Sequence, residues 1–284
     1  MPSLLRRLRN WRQIGSLARR VINAADEDDV DIVAAGLAFY GLFGLFPTLL
    51  AIVSLYGLIA DPAEVQQVLT SLSEGLPEQA RIVMVAGLSD FVARSTGRLS
   101  LSLSLSLVVL LYSSSTAMSA LVRAINVAYD LPERRSFFKR RGVAILATAG
   151  GIVGFAVIIP IIAALPKILG FLHIQTAVSL SWVVLTVLAF VALLILYRYA
   201  PDRATPPPLR GTLPGAILAS VLWLGAGALY SLYVRYFATY SSTYGALEGV
   251  IVLQFWLFIS ALILLYGAEL NAELERAHRD ELAR

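Results

Sequence analysis

The chain contains no cysteine. That removes a disulfide framework, a thiol nucleophile and any metal site built on thiolates, and it leaves the redox compartment unreadable. Histidine is nearly as scarce, with only His173 and His278, and charged residues make up just 15% of the chain. Acids are missing from the middle of every long apolar run. Only Glu248 and Glu269 come close, both near run ends, so a mid-span carboxylate for proton coupling is lacking. The patterns G-x-S-x-G, H-E-x-x-H and the P-loop are also absent, which leaves acyl hydrolysis, zinc proteolysis and nucleotide-driven work without their residues. No cofactor and no enzyme activity are expected.

What is present is apolar. Hydrophobic residues reach 58% and the mean hydropathy is +0.74, whereas a soluble domain has about 45–50% apolar and about 25% charged residues. The excess lies in blocks of about twenty residues, the length that crosses a bilayer as helix. The net charge of +4 comes from arginines set beside these blocks rather than gathered in a patch suited to nucleic acid, so no nucleic-acid partner is expected.

The pattern predicts an all-α polytopic membrane protein with six spans. Residues 1–31 read as an amphipathic helix, Pro2–Ala24, followed by an acidic linker. Leu4, Leu5, Leu8, Trp11, Ile14, Leu17, Val21 and Ile22 recur at helical spacing among Arg6, Arg9, Arg12, Arg19 and Arg20. A basic helix with a Trp and Leu face suits the headgroup layer of an anionic leaflet. The acids Asp26, Glu27, Asp28, Asp29 and Asp31 invite a metal, since carboxylates bind hard cations. Their place before the first span favours helix capping and dipole complementarity instead. The spans are expected at 32–60, 99–120, 142–165, 177–199, 212–236 and 250–270. An extracytoplasmic pair of short amphipathic helices should fill 61–98, and a polar cytoplasmic tail 271–284. No small-residue cleavage site follows a short apolar core, so no removable signal peptide is expected. With six spans, 18 of the 23 lysines and arginines fall on the side of the termini. Both termini are therefore expected in the cytoplasm.

Three features suggest a site. In the second span, Tyr112, Ser115, Thr116, Ser119, Arg123 and Asn126 recur three or four apart, a single polar stripe about 100° wide and about 21 Å long on a helix. Hydrocarbon cannot face such a stripe cheaply, so it should face other helices or a wet cavity. In the first span, Gly36, Tyr40, Gly44 and Pro47 share one face. Close helix packing and a broken helix lining a cavity fit this equally well. Pro47 should bend the helix by removing a donor to Phe43. The sixth span contains Gln254 and carries Glu269 at its cytoplasmic end. Arg123 can bind a phosphate bidentately, or it can pair with Glu269 at similar depth; either way it should face the bundle interior. Arg134, Arg135, Arg140, Arg141 and Arg198, at the basic ends of spans, are candidate contacts for anionic headgroups.

Several motifs, taken together in order, resemble the YihY/BrkB family of bacterial inner-membrane proteins. They are Ala38-Phe-Tyr40 with Leu45-Phe-Pro47, Tyr112-Ser-Ser-Ser115 with Arg123-Ala-Ile-Asn126, Tyr199-Ala-Pro201 before Gly211-Thr-Leu-Pro-Gly-Ala216, Tyr244-Gly245, Trp256 and Gly267-Ala-Glu-Leu-Asn271. The likeness runs from the first span to the sixth. Two departures are Tyr112, where the family pattern has Trp, and the lack of the long tail of some members. The resemblance implies six membrane helices, a link to envelope integrity and serum resistance, and transport of lipid or lipopolysaccharide precursors. It also carries an old ribonuclease label, for which the chain shows neither a histidine pair on one side nor clustered acids beyond Asp26–Asp31. The expected activity is handling of phospholipid or related anionic envelope lipid. A small-solute or ion transporter and a non-catalytic envelope scaffold are the alternatives. Membrane lipids are the expected partners, with an envelope protein or a second copy of the chain as further candidates.

Overall fold

A computed structural model describes residues 11–57, 101–171, 177–237 and 246–282. They form seven helices and, among the described residues, no strand. These are α1 (Trp11–Glu27), α2 (Val30–Gly57), α3 (Leu101–Ala128), α4 (Phe137–Phe171), α5 (Ala177–Tyr199), α6 (Leu209–Phe237) and α7 (Ala246–Leu282). Within the described residues, Val108–Ala128, Leu209–Tyr233 and Val250–Glu281 are long and apolar enough to cross a membrane, and Val30–Leu45 and Thr186–Tyr199 are shorter apolar stretches. The expected helices of 61–98 and the first turns of the N-terminal helix lie outside the described residues.

Three boundaries differ from those read in the sequence, each for a local reason. Helix α1 continues through Asp26 to Glu27 and ends at Asp29, which adopts a left-handed φ of 48°. Its carbonyl then accepts from Val33 N–H at 3.0 Å, so one residue closes α1 and opens α2. Helix α4 starts at Phe137, inside the expected basic turn. Ser136 caps it, with its Oγ accepting from Lys139 N–H at 3.4 Å, as Ser does at an N-cap. Helix α7 runs on through the expected polar tail to Leu282, because residues 271–282 are mostly good helix formers with neither Gly nor Pro. Helix α2 is continuous through Pro47.

Helix α7 is the hub, touching α1, α2, α3 and α6, while α3 packs on α2 and α4, and α5 on α4 and α6. The largest buried cluster joins Ala25, Val30 and Ala34 to Val122, Ile125 and Ala128, and both sets to Tyr197, Leu265, Ala268 and Ala272. It lies at the end of the bundle where α1 meets the last turns of α7, and small side chains dominate it. Alanine and glycine let helices approach closely, which is how helices associate when hydrophobic exclusion is weak.

Candidate functional site

The polar stripe of α3 does not act as one surface. Ser115, Ser119 and Asn126 are buried, whereas Tyr112 and Arg123 are exposed and Thr116 is half-buried. On a helical wheel the buried three lie about 20–80° to one side of the exposed ones, so the edge of the packing interface runs down the middle of the stripe. Arg123 is thus outside the bundle and has no ion-pair partner among the described residues, contrary to the expectation that it faces inward. Nor does it meet Glu269. It sits between the buried Val122 and Ala124 and is exposed.

Asn126 belongs to a structural knot, not to a cavity. Its Nδ2 donates to Glu133 Oε2 at 2.9 Å, and its Oδ1 accepts from the backbone N–H of Asp202 at 2.8 Å. The turn is made by a left-handed Asp130. Leu131 N–H donates to Asn126 O and Asp130 N–H to Val127 O, at 2.9 and 2.8 Å, a pairing that satisfies the last carbonyls of a helix. Arg135 crosses from this turn to the α5–α6 connection. Its Nε pairs with Asp202 Oδ1 at 3.0 Å, and its Nη2 donates to the carbonyls of Ala200 and Pro201 at 3.0 and 2.8 Å. With its side chain only 9% exposed, Arg135 is a cross-link and not the expected headgroup contact. Arg203 extends the knot, pairing with Glu275 at 2.8 Å and lying 4.6 Å over the Tyr129 ring. Burial pushes the Tyr129 hydroxyl up to about 12. Arg276 bridges Asp130 and Glu273, and Arg20 reaches Glu273 at 3.3 Å.

Beside the knot, α6 and α7 cross almost backbone to backbone. A Cβ at Gly215 would lie 2.0 Å from the Gly267 carbonyl oxygen, and one at Gly267 would lie 2.4 Å from the Tyr197 hydroxyl. Asn271 fills the crossing, accepting from Gly215 N–H at 2.7 Å and donating to Thr212 O at 3.3 Å. Tyr197 donates to Leu264 O at 2.7 Å and is fully buried. Three of the motifs noted in the sequence, around Tyr199, Gly211–Ala216 and Gly267–Asn271, therefore meet at one place. Sequence reasoning quoted Gly215 and Gly267 but missed that they touch; the signal was a glycine in each of two apolar helices, a residue that permits close approach.

A different region is open. Phe39, Tyr40, Phe43 and Gly44 of α2 and Tyr112, Ser113 and Thr116 of α3 line a groove of about 390 Å³ on the outside of the bundle. At Gly44 the two helices approach so closely that a Cβ would stand 2.7 Å from Ala117 Cβ, so the small residue serves packing while its neighbours Phe39, Tyr40 and Phe43 stay exposed. Arg141, the third cation of α4, contacts two of the groove's residues. Its guanidinium lies 3.9 Å over the Tyr112 ring, and its Nη2 donates to Tyr112 O at 2.7 Å and to Thr116 Oγ1 at 3.3 Å. Among the described residues it has no carboxylate partner. The charge that belongs to the α3 stripe is therefore Arg141 and not Arg123.

The other expected site residues scatter. Ser115 Oγ donates to Tyr112 O at 2.7 Å within its own helix. Pro47 is half-buried in α2, and Gln254 is half-buried with its Oε1 shielded and unbonded among the described residues. Arg134 is exposed, with its backbone N–H on Asp202 Oδ2 at 2.7 Å. Arg140 lies 5.9 Å over Phe137, and Arg198 5.6 Å over Tyr199. Glu269 is fully buried beside Asp28.

Bilayer-length apolar helices and backbone-close helix crossings, with no strand among the described residues, mark an integral membrane protein. The chain belongs to the family described as Virulence factor BrkB, which matches residues 21–284. It is 30% identical over 252 residues to the putative ribonuclease-like protein YfkH of Bacillus subtilis, covering 86% of this chain and 89% of the relative. It is 28% identical over 248 residues to a UPF0761 membrane protein of Alkalilimnicola ehrlichii, covering 85% of this chain and 54% of that longer one. A UPF0761 membrane protein of Idiomarina loihiensis is 37% identical over 94 residues, about a third of each chain. No solved structure matches.

Proposed function

We propose that this BrkB-family protein crosses the bacterial inner membrane six times, with both termini in the cytoplasm, and handles anionic envelope lipid without catalysing a covalent step. The observation that carries the reading is Arg141, fixed on Tyr112 and Thr116 at the rim of an aromatic groove and lacking a carboxylate among the described residues. A guanidinium pinned by an aromatic face and a hydroxyl is pre-organised for a phosphate. Exposed Phe39 and Phe43 beside it offer the apolar wall an acyl chain needs. Arg134 and Arg140 at the same end of α4 extend the positive surface, and the lysine and arginine bias supports the orientation. The ribonuclease in the printed name of YfkH receives no catalytic role here.

The test is lipid retention by the purified full chain, read by native mass spectrometry. Wild type and Arg123→Gln should carry phosphatidylglycerol in preference to phosphatidylcholine, and Arg141→Gln should lose most of it. Equal retention by all three would remove the groove from the account.

A further inference from the structure

We propose that Asp28 and Glu269 form a carboxyl pair that binds one proton, and that this proton clasps the α1–α2 elbow to α7. The proposal is independent of the lipid reading. Glu269 is 0% exposed, and neither of its carboxyl oxygens receives a hydrogen bond from an N–H or O–H donor among the described residues. What faces it at hydrogen-bond contact is another carboxyl, that of Asp28. Two ionised carboxylates in such contact repel, and a buried charge without a donor is costly. A single shared proton converts the same geometry into a charge-assisted O–H···O bond.

The surroundings on the Glu269 side are apolar. Ala25, Val30 and Ala34 of the elbow and Leu265, Ala268 and Ala272 of α7 belong to one buried apolar cluster, and Asp28 is half-buried at the elbow. The charged groups around the pair are Glu27 of α1, Asp130 of the α3–α4 turn, and Glu273 and Arg276 of α7; the Tyr129 hydroxyl is near Glu269. Among the described residues, Arg276 is the one cation acting on the pair, and it is already committed to Asp130 and Glu273. Arg20 is spent on Glu273 as well. Burial pushes the Asp28 carboxyl up, while the hydrogen bond from Glu269 opposes that rise. Glu269 is the fully buried member and Asp28 the half-buried one, so the neutral, proton-bearing form belongs on Glu269. The acid that the sequence lacks in mid-span is thus supplied at the buried end of α7, with a partner from a linker that the sequence offers only as caps.

The experiment is infrared spectroscopy of the full chain in detergent, together with its thermal midpoint from about pH 5 to about pH 9. Wild type should show a protonated-carboxyl band at neutral pH that Glu269→Gln loses and Asp28→Asn shifts. Its midpoint should fall as pH rises, because the elbow is held by the protonated pair. Glu269→Gln keeps a donor toward Asp28, so it should fold and show a flatter profile. Asp28→Asn serves as the second variant if Glu269→Gln expresses poorly, and should flatten the profile likewise. The proposal is overturned if wild type lacks the band at neutral pH, or if both variants keep the wild-type slope. It is also overturned if sodium or calcium stabilises wild type saturably and the variants do not respond, since the pair would then hold a cation.

Discussion

Replacing Gly215 by Ala should be among the most damaging single-methyl changes in this protein. The added Cβ would lie 2.0 Å from the Gly267 carbonyl oxygen and 2.5 Å from Asn271 Nδ2. Ordinary contact begins at 3.4 Å, so α6 and α7 would have to part by more than an ångström along a seam that also holds Tyr197 and Ala219. Over-packing of a tight core costs about 1–3 kcal/mol. Parting the helices also lengthens the 2.7 Å bond from Gly215 N–H to Asn271, a further loss of about 1 kcal/mol. The internal control is Gly225 on the same helix, where a Cβ would meet nothing within 4 Å. There the change to Ala should gain about 0.5–1 kcal/mol by favouring helix. The assay is unfolding of both purified full-length variants in one detergent, followed by tryptophan fluorescence. If Gly215→Ala is as stable as Gly225→Ala, the backbone-close crossing is not a feature of the molecule.

Other expectations follow from the same geometry. Arg135→Ala removes a nearly buried ion pair and two carbonyl bonds, and should cost about 3 kcal/mol in the same unfolding assay, with Arg135→Lys recovering only part. Tyr197→Phe should cost about 1 kcal/mol by leaving Leu264 O without its hydroxyl donor. Arg123→Ala should change stability by less than about 0.5 kcal/mol, because the side chain is exposed and unpaired among the described residues; a large loss would return it to the bundle. Because the clasp holds only while the Asp28–Glu269 pair keeps its proton, the stability it contributes is present at low pH and is lost as pH rises through the pair's titration, so Asp28→Asn should be relatively more stable at alkaline pH.

Helix existence was legible because apolar runs of bilayer length have few other outcomes. The facing of each helix was not. In a soluble bundle, apolar residues point inward, but in a membrane the interior and the lipid are both apolar, and polarity alone misled at α3. Its stripe is cut lengthwise: Ser115, Ser119 and Asn126 went inward, Ser115 onto its own helix backbone and Asn126 onto the turn, and Arg123 was left outside. The same ambiguity hid the partner of Glu269. Depth along the helices suggested Arg123, whereas the α1–α2 elbow, shaped by a left-handed Asp29 that no periodicity announces, brought Asp28 there instead. Ser136 and the helix-forming tail after Leu270 were readable signals for the true ends of α4 and α7. Arg141 was noted for its charge, but its place over Tyr112 depends on how α4 leans on α3, which is a tertiary fact.

The most direct test of the lipid reading is reconstitution of the full chain in vesicles carrying headgroup-labelled phosphatidylglycerol or phosphatidylcholine, with the outer-leaflet label quenched chemically. The account predicts that wild type and Arg123→Gln speed loss of the inner-leaflet phosphatidylglycerol signal over protein-free vesicles, with little effect on phosphatidylcholine, and that Arg141→Gln slows it at least about tenfold, the equivalent of about 1.4 kcal/mol. Wild-type vesicles that behave like protein-free ones, or an Arg141→Gln variant as fast as wild type, would contradict it.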